Sequence, residues 1–313
     1  MHKSSKQLLR DCISINWLRP ESGLALASPI LNGLPIIPRL GEISADFGCG
    51  DGITSFVRCG GRLGKSYDVF MGAAKNLSQQ EIVEKGIDVF DYCDESYSVE
   101  IIARPETGFT YGTDFKSSHL QKAAVLNFYD NLIEADLNKP APFAVKLDYA
   151  YCNCIYWADS DVAIGHISNA VRSGGRAIFE VWTPYIFDYD FHNIFSRVDK
   201  KWCDLLNRNR YECYVGVKAE NEWAAVFEKN GFIVHEIKSL SPEPEMSFWN
   251  YGLRPIYPVL QRMADALASE FRAEIKEEWV DVWTELLLPL LENPDAFWGS
   301  KKNVRPQYIL EKK

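Results

Sequence analysis

The sequence predicts an α/β fold with a mostly parallel sheet, and three features predict it. Short apolar runs alternate with amphipathic helical stretches along most of the chain. One such run, Glu42 to Phe47, ends in a glycine cluster and leads into a helical pattern from Ile53 to about Cys59. Another, Arg176 to Trp182, is apolar almost throughout, as a strand covered on both faces should be.

The other elements follow in order. Residues 60 to 108 are rich in Gly, Asp and Tyr and read as an insertion, with a helical stretch near Ser78 to Lys85. A second strand, Phe109 to Thr113, ends at Asp114. Ser117 reads as the N-cap of a helix carrying Leu120, Ala123, Ala124, Asn127 and Phe128. A third strand, Asn131 to Ala135, ends at Asp136, and a fourth, Tyr149 to Ile155, follows Asp148. A helix from Asp161 to Val171 closes on Ser173-Gly174-Gly175, ahead of the Arg176 strand. A helix from Asn221 to Lys229, the turn Asn230-Gly231 and a strand from Phe232 to Leu240 form a further unit.

In the tail, Val259, Leu260, Met263, Ala264, Leu267, Phe271 and Ile275 mark one amphipathic helix. Trp279, Val280, Trp283, Leu286, Leu287, Leu290 and Leu291 continue its stripe, and Pro289 should kink or end it. That stripe either packs on the sheet or serves as a dimer surface or lid. A last short strand is expected at Gln307 to Leu310. The expected division is a cap segment over residues 1–41, a core over 42–245 and a helical elaboration over 246–313 that returns the last strand to the same sheet.

Composition bounds the function. The 313 residues are 47% apolar and 25% charged, an ordinary globular balance with enough apolar matter for a sizeable core. A net charge of −9 disfavours non-specific nucleic-acid binding. The dense basic stretches, Lys200-Lys201 and Arg208-Asn209-Arg210, read as a solvated helix face. Residues 1–18 lack the apolar core of a secretory signal, and no run approaches the roughly 18 residues of a membrane span. A cytoplasmic protein is expected, its eight cysteines free thiols. Cys152 and Cys154, which flank Asn153, are expected to face opposite ways. No CxxC pair occurs and the five histidines are scattered, so no metal site is expected.

The chemistry is concentrated in Ser44-Ala45-Asp46-Phe47-Gly48-Cys49-Gly50-Asp51-Gly52. Alternate glycines after a buried strand and before a helix allow positive φ and let a ligand approach the backbone. The helix N-terminus behind them favours a negative group. A dinucleotide fingerprint needs G-x-G-x-x-G. Here the third position is Ile53 and the last glycine falls one place early, at Gly52.

This segment resembles motif I of the class I S-adenosylmethionine-dependent methyltransferases. Further segments extend the resemblance in the family's order: Phe109 to Asp114, Ile133 to Leu137, Asp148 to Asn153, Ala170 to Phe179, and Glu222-Trp223 to Gly231-Phe232. It covers roughly residues 42–58, 109–182 and 219–240, with the last strand near 308. It implies a Rossmann-like class I methyltransferase fold: a seven-stranded, mostly parallel sheet with helices on both faces. The departure is the insertion, some 50 residues where the family has one helix and a short loop.

The resemblance implies S-adenosyl-L-methionine as cofactor, leaving S-adenosyl-L-homocysteine as product. It implies a binding set of Asp46, Phe47, Gly48, Cys49, Gly50, Asp51, Gly52, Asp114, Phe115, Asp136, Leu137 and Asn153. Within that set Asp114 would take the ribose hydroxyls, with Asp68 the competing acid. Asp136 would meet the adenine amino group, Leu137 and Phe115 would flank the ring, and Asp46 would meet the ammonium. The acceptor is expected beyond the fourth and fifth strands, where Tyr156, Trp157, Trp182 and Tyr185 either wall a pocket or pack the tail onto the sheet.

A hydroxyl acceptor needs a base, and His192, then Asp188, are the candidates. His119, His166 and His235 read as surface or structural residues. Arg19 or Glu21 could reach the acceptor from the N-terminal segment, or simply cap the surface. The Asn153 segment lacks the Asn-Pro-Pro-aromatic motif of base-modifying amino methylases, so no nucleic-acid acceptor is expected. The reading is transfer to an oxygen or nitrogen of a small molecule or glycan. Protein or lipid methylation, and an inactive binding protein on the same fold, stand as alternatives, as does a homodimer through the C-terminal helix.

Overall fold

The computed structural model describes residues 5–34, 36–69, 81, 84, 91–189, 203, 206, 216–292 and 302–313. Its centre is a seven-stranded sheet. In chain order the sheet strands are β1 (Ser44–Phe47), β4 (Phe109–Asp114), β5 (Tyr129–Glu134), β6 (Leu147–Cys152), β7 (Val171–Glu180), β8 (Phe232–Pro242) and β9 (Asn303–Lys312). They lie side by side as β5-β4-β1-β6-β7-β9-β8. Pairings from β5 through β7 are parallel, and β9 runs antiparallel between β7 and β8. With the chain reversing direction across the sheet between β1 and β6, this is the strand order of the Rossmann-like class I methyltransferase fold.

Alternation along the central strands explains the two layers. Tyr149 and Tyr151 of β6 and Ile178 of β7 face one side with Phe109. Ala150, Cys152, Ala177 and Phe179 face the other. The first side is covered by α1 (Ser5–Ile15), α3 (Ile53–Arg58) and α4 (Ser117–Val125), through Leu9, Ile13, Phe56 and Ala123, all at 0% exposure. The second is covered by α5 (Ser160–Ala170) and α6 (Glu220–Lys229), through Ile164, Ile167, Trp223 and Phe227.

The expected N-terminal cap is two helices, α1 and α2 (Pro20–Leu31). Leu8, Leu9, Cys12 and Ile13 give α1 its buried face, and Pro20 opens α2 where its missing N–H costs nothing. Within the insertion, β2 (Arg62–Leu63) and β3 (Ile101–Ala103) form a small antiparallel pair. The helical stretch expected near Ser78 to Lys85 falls mostly outside the described residues.

Several boundaries differ from expectation for identifiable reasons. Lys116, not Ser117, holds the cap position of α4, with no side-chain bond. The N-cap of α5 is Asp159, whose carboxylate accepts from Val162 N at 3.3 Å. β6 stops at Cys152 rather than Ile155, because the chain turns into a short 3-10 segment at Ile155–Trp157. Cys154 lies past the strand's end, and its thiol bonds that of Cys152; the expectation that the two face opposite ways fails, since even on a strand residues two apart share a face. β7 begins at Val171, before the Gly-Gly turn, and absorbs it as a bulge between the pairs Leu147–Val171 and Tyr149–Arg176. Gly174 has φ +72°, and a Cβ on Gly175 would lie 3.2 Å from Asp148 O.

The tail is not one helix. α7 (Glu243–Tyr251), α8 (Tyr257–Asp265) and α9 (Ser269–Glu292) are separate, and Pro289 lies inside α9 without ending it before Glu292. α9 packs chiefly on α1: Arg10 bonds Glu277 (2.8 Å) and Asp281 (2.6 Å), and Trp279 Nε1 donates to Trp17 O at 2.7 Å. Val280 and Leu287 face inward, while Phe271, Val282 and Leu286 stay more than half exposed.

Candidate functional site

The loops at the carboxyl ends of β1, β4, β5 and β6 converge on a cavity of about 360 Å³. Its lining includes Gly48, Gly50, Asp114, Phe115, Ala135, Asp136, Leu137, Cys154 and Trp157. This is where open α/β sheets place ligands, beside the point at which the strand order reverses.

The glycine loop is shaped by backbone need. Gly48, Gly50 and Gly52 have φ of +68°, +58° and +75°. A Cβ on Gly48 would collide with Cys154 Sγ, and one on Gly52 would lie 2.9 Å from the Tyr129 ring. At Gly50 a Cβ would meet nothing within 4 Å, so the space above that backbone is open. Gly50 N donates to Asp114 Oδ2 at 3.0 Å, and Lys116 N donates to Oδ1 at 2.9 Å. Burial pushes Asp114 upward, but His119 and these two N–H groups outweigh it and hold the carboxyl below its ordinary value.

Asp136 also lines the cavity. Its Oδ1 accepts from the backbone (2.9 Å) and side-chain (3.2 Å) nitrogens of Asn138, whose own Oδ1 accepts from Asp159 N at 2.9 Å. Phe115, 65% exposed, and Leu137 line the cavity with the two acids. The lining combines two carboxylates, the apolar side chains of Phe115 and Leu137, and bare backbone at Gly50. A nucleoside fits that pattern.

The remaining residues of the predicted set act around this cavity. Asp46 is 1% exposed and does not line it; Tyr129 Oη donates to its Oδ2 at 2.8 Å and Ser55 bonds it as well. Burial raises Asp46 to about 6. Asp51 is likewise pushed up by burial, and its Oδ1 accepts from Ile53 N at the start of α3. Phe47 and Cys49 are core residues. Cys49 and Cys154 are both raised well above the ordinary thiol range, Cys49 chiefly by burial and Cys154 chiefly by its bond to Cys152, so neither is an activated nucleophile. Asn153 is half-buried and outside the cavity lining.

Asp68, the competing acid, is buried elsewhere. It accepts from Trp17 Nε1 and Arg272, each at 2.9 Å, and locks the insertion to the N-terminal and C-terminal helices. Glu21 is fully buried against Leu253 N (3.4 Å), and Arg19 stacks over Tyr257; both tie α2 to the tail.

The expected acceptor residues separate. Trp157 lines the cavity and is 57% exposed. From it an aromatic series runs inward through Tyr156 (6.0 Å) and Trp182 (6.2 Å) to Trp249 of α7 (5.8 Å). Trp182 is thus a packing residue for the tail. Tyr185 lines a different depression with Thr183, Glu220 and Asn221. Asp188 pairs with Lys302 at 2.9 Å and does not line the cavity. His192 lies outside the described residues.

Lys116, His119, Ala135, Asn138, Cys154 and Ala158 line the cavity outside the predicted set, and among them the His119 ring pairs with Asp114. His119, expected at the surface, lines the pocket with its side chain only 20% exposed. Its position three residues after Lys116 on α4 turns it back toward Asp114, as side chains in a first helical turn do. His166 borders a separate shallow depression, and His235 pairs with Glu311 at the surface (3.1 Å).

No protein-family model matches the chain, and no curated protein matches its sequence. Solved structures resemble it in fold. The 4+2 cyclase SpnF is 9% identical with a TM-score of 0.47, over 94% of this chain and 82% of that one. Geranyl diphosphate C-methyltransferase from Streptomyces coelicolor, in complex with Mg2+, geranyl diphosphate and S-adenosyl-L-homocysteine, is 12% identical with a TM-score of 0.42, over 94% and 80%. A SAM-dependent methyltransferase from Thiobacillus denitrificans, in complex with S-adenosyl-L-homocysteine, is 14% identical with a TM-score of 0.41, over 92% and 91%. Likenesses at this level say nothing of substrate; the strand order itself defines the fold.

Proposed function

We propose that this chain is an S-adenosylmethionine-dependent methyltransferase acting on an oxygen or nitrogen of a small molecule or glycan. The observation that carries the reading is the cavity: open backbone at Gly50, a carboxylate at Asp114, an apolar slot at Phe115 and Leu137, and a second carboxylate at Asp136. Asp114 would accept the two ribose hydroxyls, and Asp136 the adenine amino group. Asp46 would act from beneath, fixing the loop through Tyr129 and Ser55.

S-adenosylmethionine would supply a methyl group already activated on a sulfonium. The chain's own contribution is then alignment and exclusion of water. Trp157, exposed at the cavity, is the aromatic best placed to meet an acceptor. For a hydroxyl acceptor the proposed proton acceptor is His192, since Asp188 is held by Lys302 away from the cavity. The net charge of −9 favours a small or uncharged acceptor over nucleic acid.

The test is formation of S-adenosylhomocysteine from S-adenosylmethionine with a panel of hydroxyl, amine and glycan acceptors. Acceptor-dependent turnover in the native chain, lost in His192→Ala with cofactor binding retained, supports the reading. Tight binding without turnover on any acceptor would instead favour a binding protein on the same fold. Among the described residues no helix is long and apolar enough to cross a membrane.

A further inference from the structure

Among the described residues of the insertion, Asp91 bonds two side chains that line the cavity, Lys116 and His119. Its carboxylate accepts both from Lys116 Nζ (2.8 and 2.7 Å) and from His119 Nε2 (3.1 Å). The other ring nitrogen, His119 Nδ1, lies 3.4 Å from Asp114 Oδ1. An imidazole therefore stands between two carboxylates that come from distant parts of the chain. One is the proposed ribose acceptor, and the other is in a segment that the class I pattern lacks.

Neutral imidazole carries one N–H and can donate to only one of these carboxylates, leaving a lone pair facing the other. Imidazolium carries two and can donate to both. The charged groups facing the ring are Asp114 at the end of β4, Asp51 in the glycine loop and Asp91 in the insertion. Lys116 acts through Asp91, and Lys122 of α4 faces Asp51. Three carboxylates thus surround one histidine.

We propose that His119 and Asp91 are positioning residues for the adenosyl pocket: the imidazolium ties the insertion to Asp114, fixes the direction of that carboxylate, and makes ligand affinity depend on the ring's proton. This rests on the reading that the cavity takes an S-adenosyl ligand. The Asp114 contact leads in raising His119 above its ordinary value, against an opposing effect of burial, so the ring holds its proton toward neutral pH. When the proton leaves, Asp114 loses the cationic ring beside it and is freer to turn.

The experiment is calorimetric titration of the full chain with S-adenosylhomocysteine from pH 5.5 to 9, for the native protein, Asp91→Asn and His119→Gln. Native affinity should weaken about three- to tenfold as pH rises through the His119 titration, equivalent to up to one unit of coupling. His119→Gln, with a non-titrating amide, should lose the part of the profile that follows the His119 titration. Asp91→Asn should bind about tenfold more weakly near neutrality, a loss that Asp91→Glu should largely restore.

A variant-free measurement stands beside these. NMR titration of His119 should move upward when S-adenosylhomocysteine binds, because ligand and proton favour each other reciprocally. Parallel pH profiles in the native chain and His119→Gln, or a His119 titration indifferent to the ligand, would overturn the proposal. If the native chain bound no S-adenosylhomocysteine at any pH, the failure would lie in the cofactor reading instead.

Discussion

The amide of Gly50 donates to Asp114 Oδ2 at 3.0 Å, joining the loop after β1 to the end of β4. Two motifs 64 residues apart thereby form one surface. A hydrogen bond to a carboxylate is among the stronger ones, so the loop and the acid hold each other in place before any ligand arrives.

Asp114→Ala should weaken S-adenosylhomocysteine binding by about 1–3 kcal/mol, the usual value of charged hydrogen bonds, and loosen the Gly50 turn slightly. Asp68→Ala should do the reverse. It strips Trp17 and Arg272 of their shared partner and lowers the melting temperature, but leaves affinity close to native. Binding lost in Asp68→Ala and retained in Asp114→Ala would move the ribose site into the insertion.

Gly48 and Gly50 should respond differently to a side chain. Gly50→Val places its methyls in open space at φ +58°, so it should cost about 1–2 kcal/mol in backbone strain and abolish ligand binding by filling the cavity. Gly48→Val adds a collision with Cys154 to the same strain and should lower stability further. Urea unfolding and ligand titration of both variants separate the effects. Native affinity in Gly50→Val would remove the loop from the site.

Asp46 makes stability depend on pH. Its carboxyl is raised to about 6 in the folded chain against an ordinary 3.8, chiefly by burial. Between those values the folded state holds a proton that the unfolded state has released, so stability falls as pH rises through about 6. Asp46→Asn keeps an acceptor for Tyr129 and removes the cost of ionisation. It should be more stable than the native chain at pH 8 by on the order of 2 kcal/mol, with the difference shrinking at pH 5. A variant less stable than native at pH 8 would mean that the ionised carboxylate is a stabilising partner.

Much of the sheet was legible because its signals are local. The apolar run into Gly48-Cys49-Gly50 marks β1 and its loop, and Gly231 before Phe232 marks the entry to β8. Asp114 and Asp136 could be placed because strand-terminal acids share that environment whatever the intervening length. What was not legible depends on meetings between distant segments. His119 looked solvated because Asp91, which helps enclose it, belongs to the insertion. Whether Trp182 walled a pocket or packed the tail stayed open because its stacking partner, Trp249, arrives from the tail. The cysteine pair was misread because residues two apart on a strand share a face rather than opposing each other.

The outward side of α9 carries Phe271, Val282 and Leu286 at 57%, 57% and 60% exposure. Apolar residues grouped this way commonly mark contact surfaces. The expected partner is a second copy of the chain, giving a concentration-dependent dimer in equilibrium sedimentation. Val282→Asp with Leu286→Lys should shift it to monomer without lowering the melting temperature, since neither side chain is buried. A native chain monomeric at high concentration would contradict this.

Thermal unfolding with S-adenosylmethionine, S-adenosylhomocysteine and NAD, each far above a micromolar affinity, tests the central claim most directly. A ligand that binds only the folded state raises its melting temperature, by about 2.7 kcal/mol of added stability at one hundred times the dissociation constant. The account predicts a rise of several degrees with the first two ligands and none with NAD. No rise with either adenosyl ligand, or a rise with NAD alone, would contradict it.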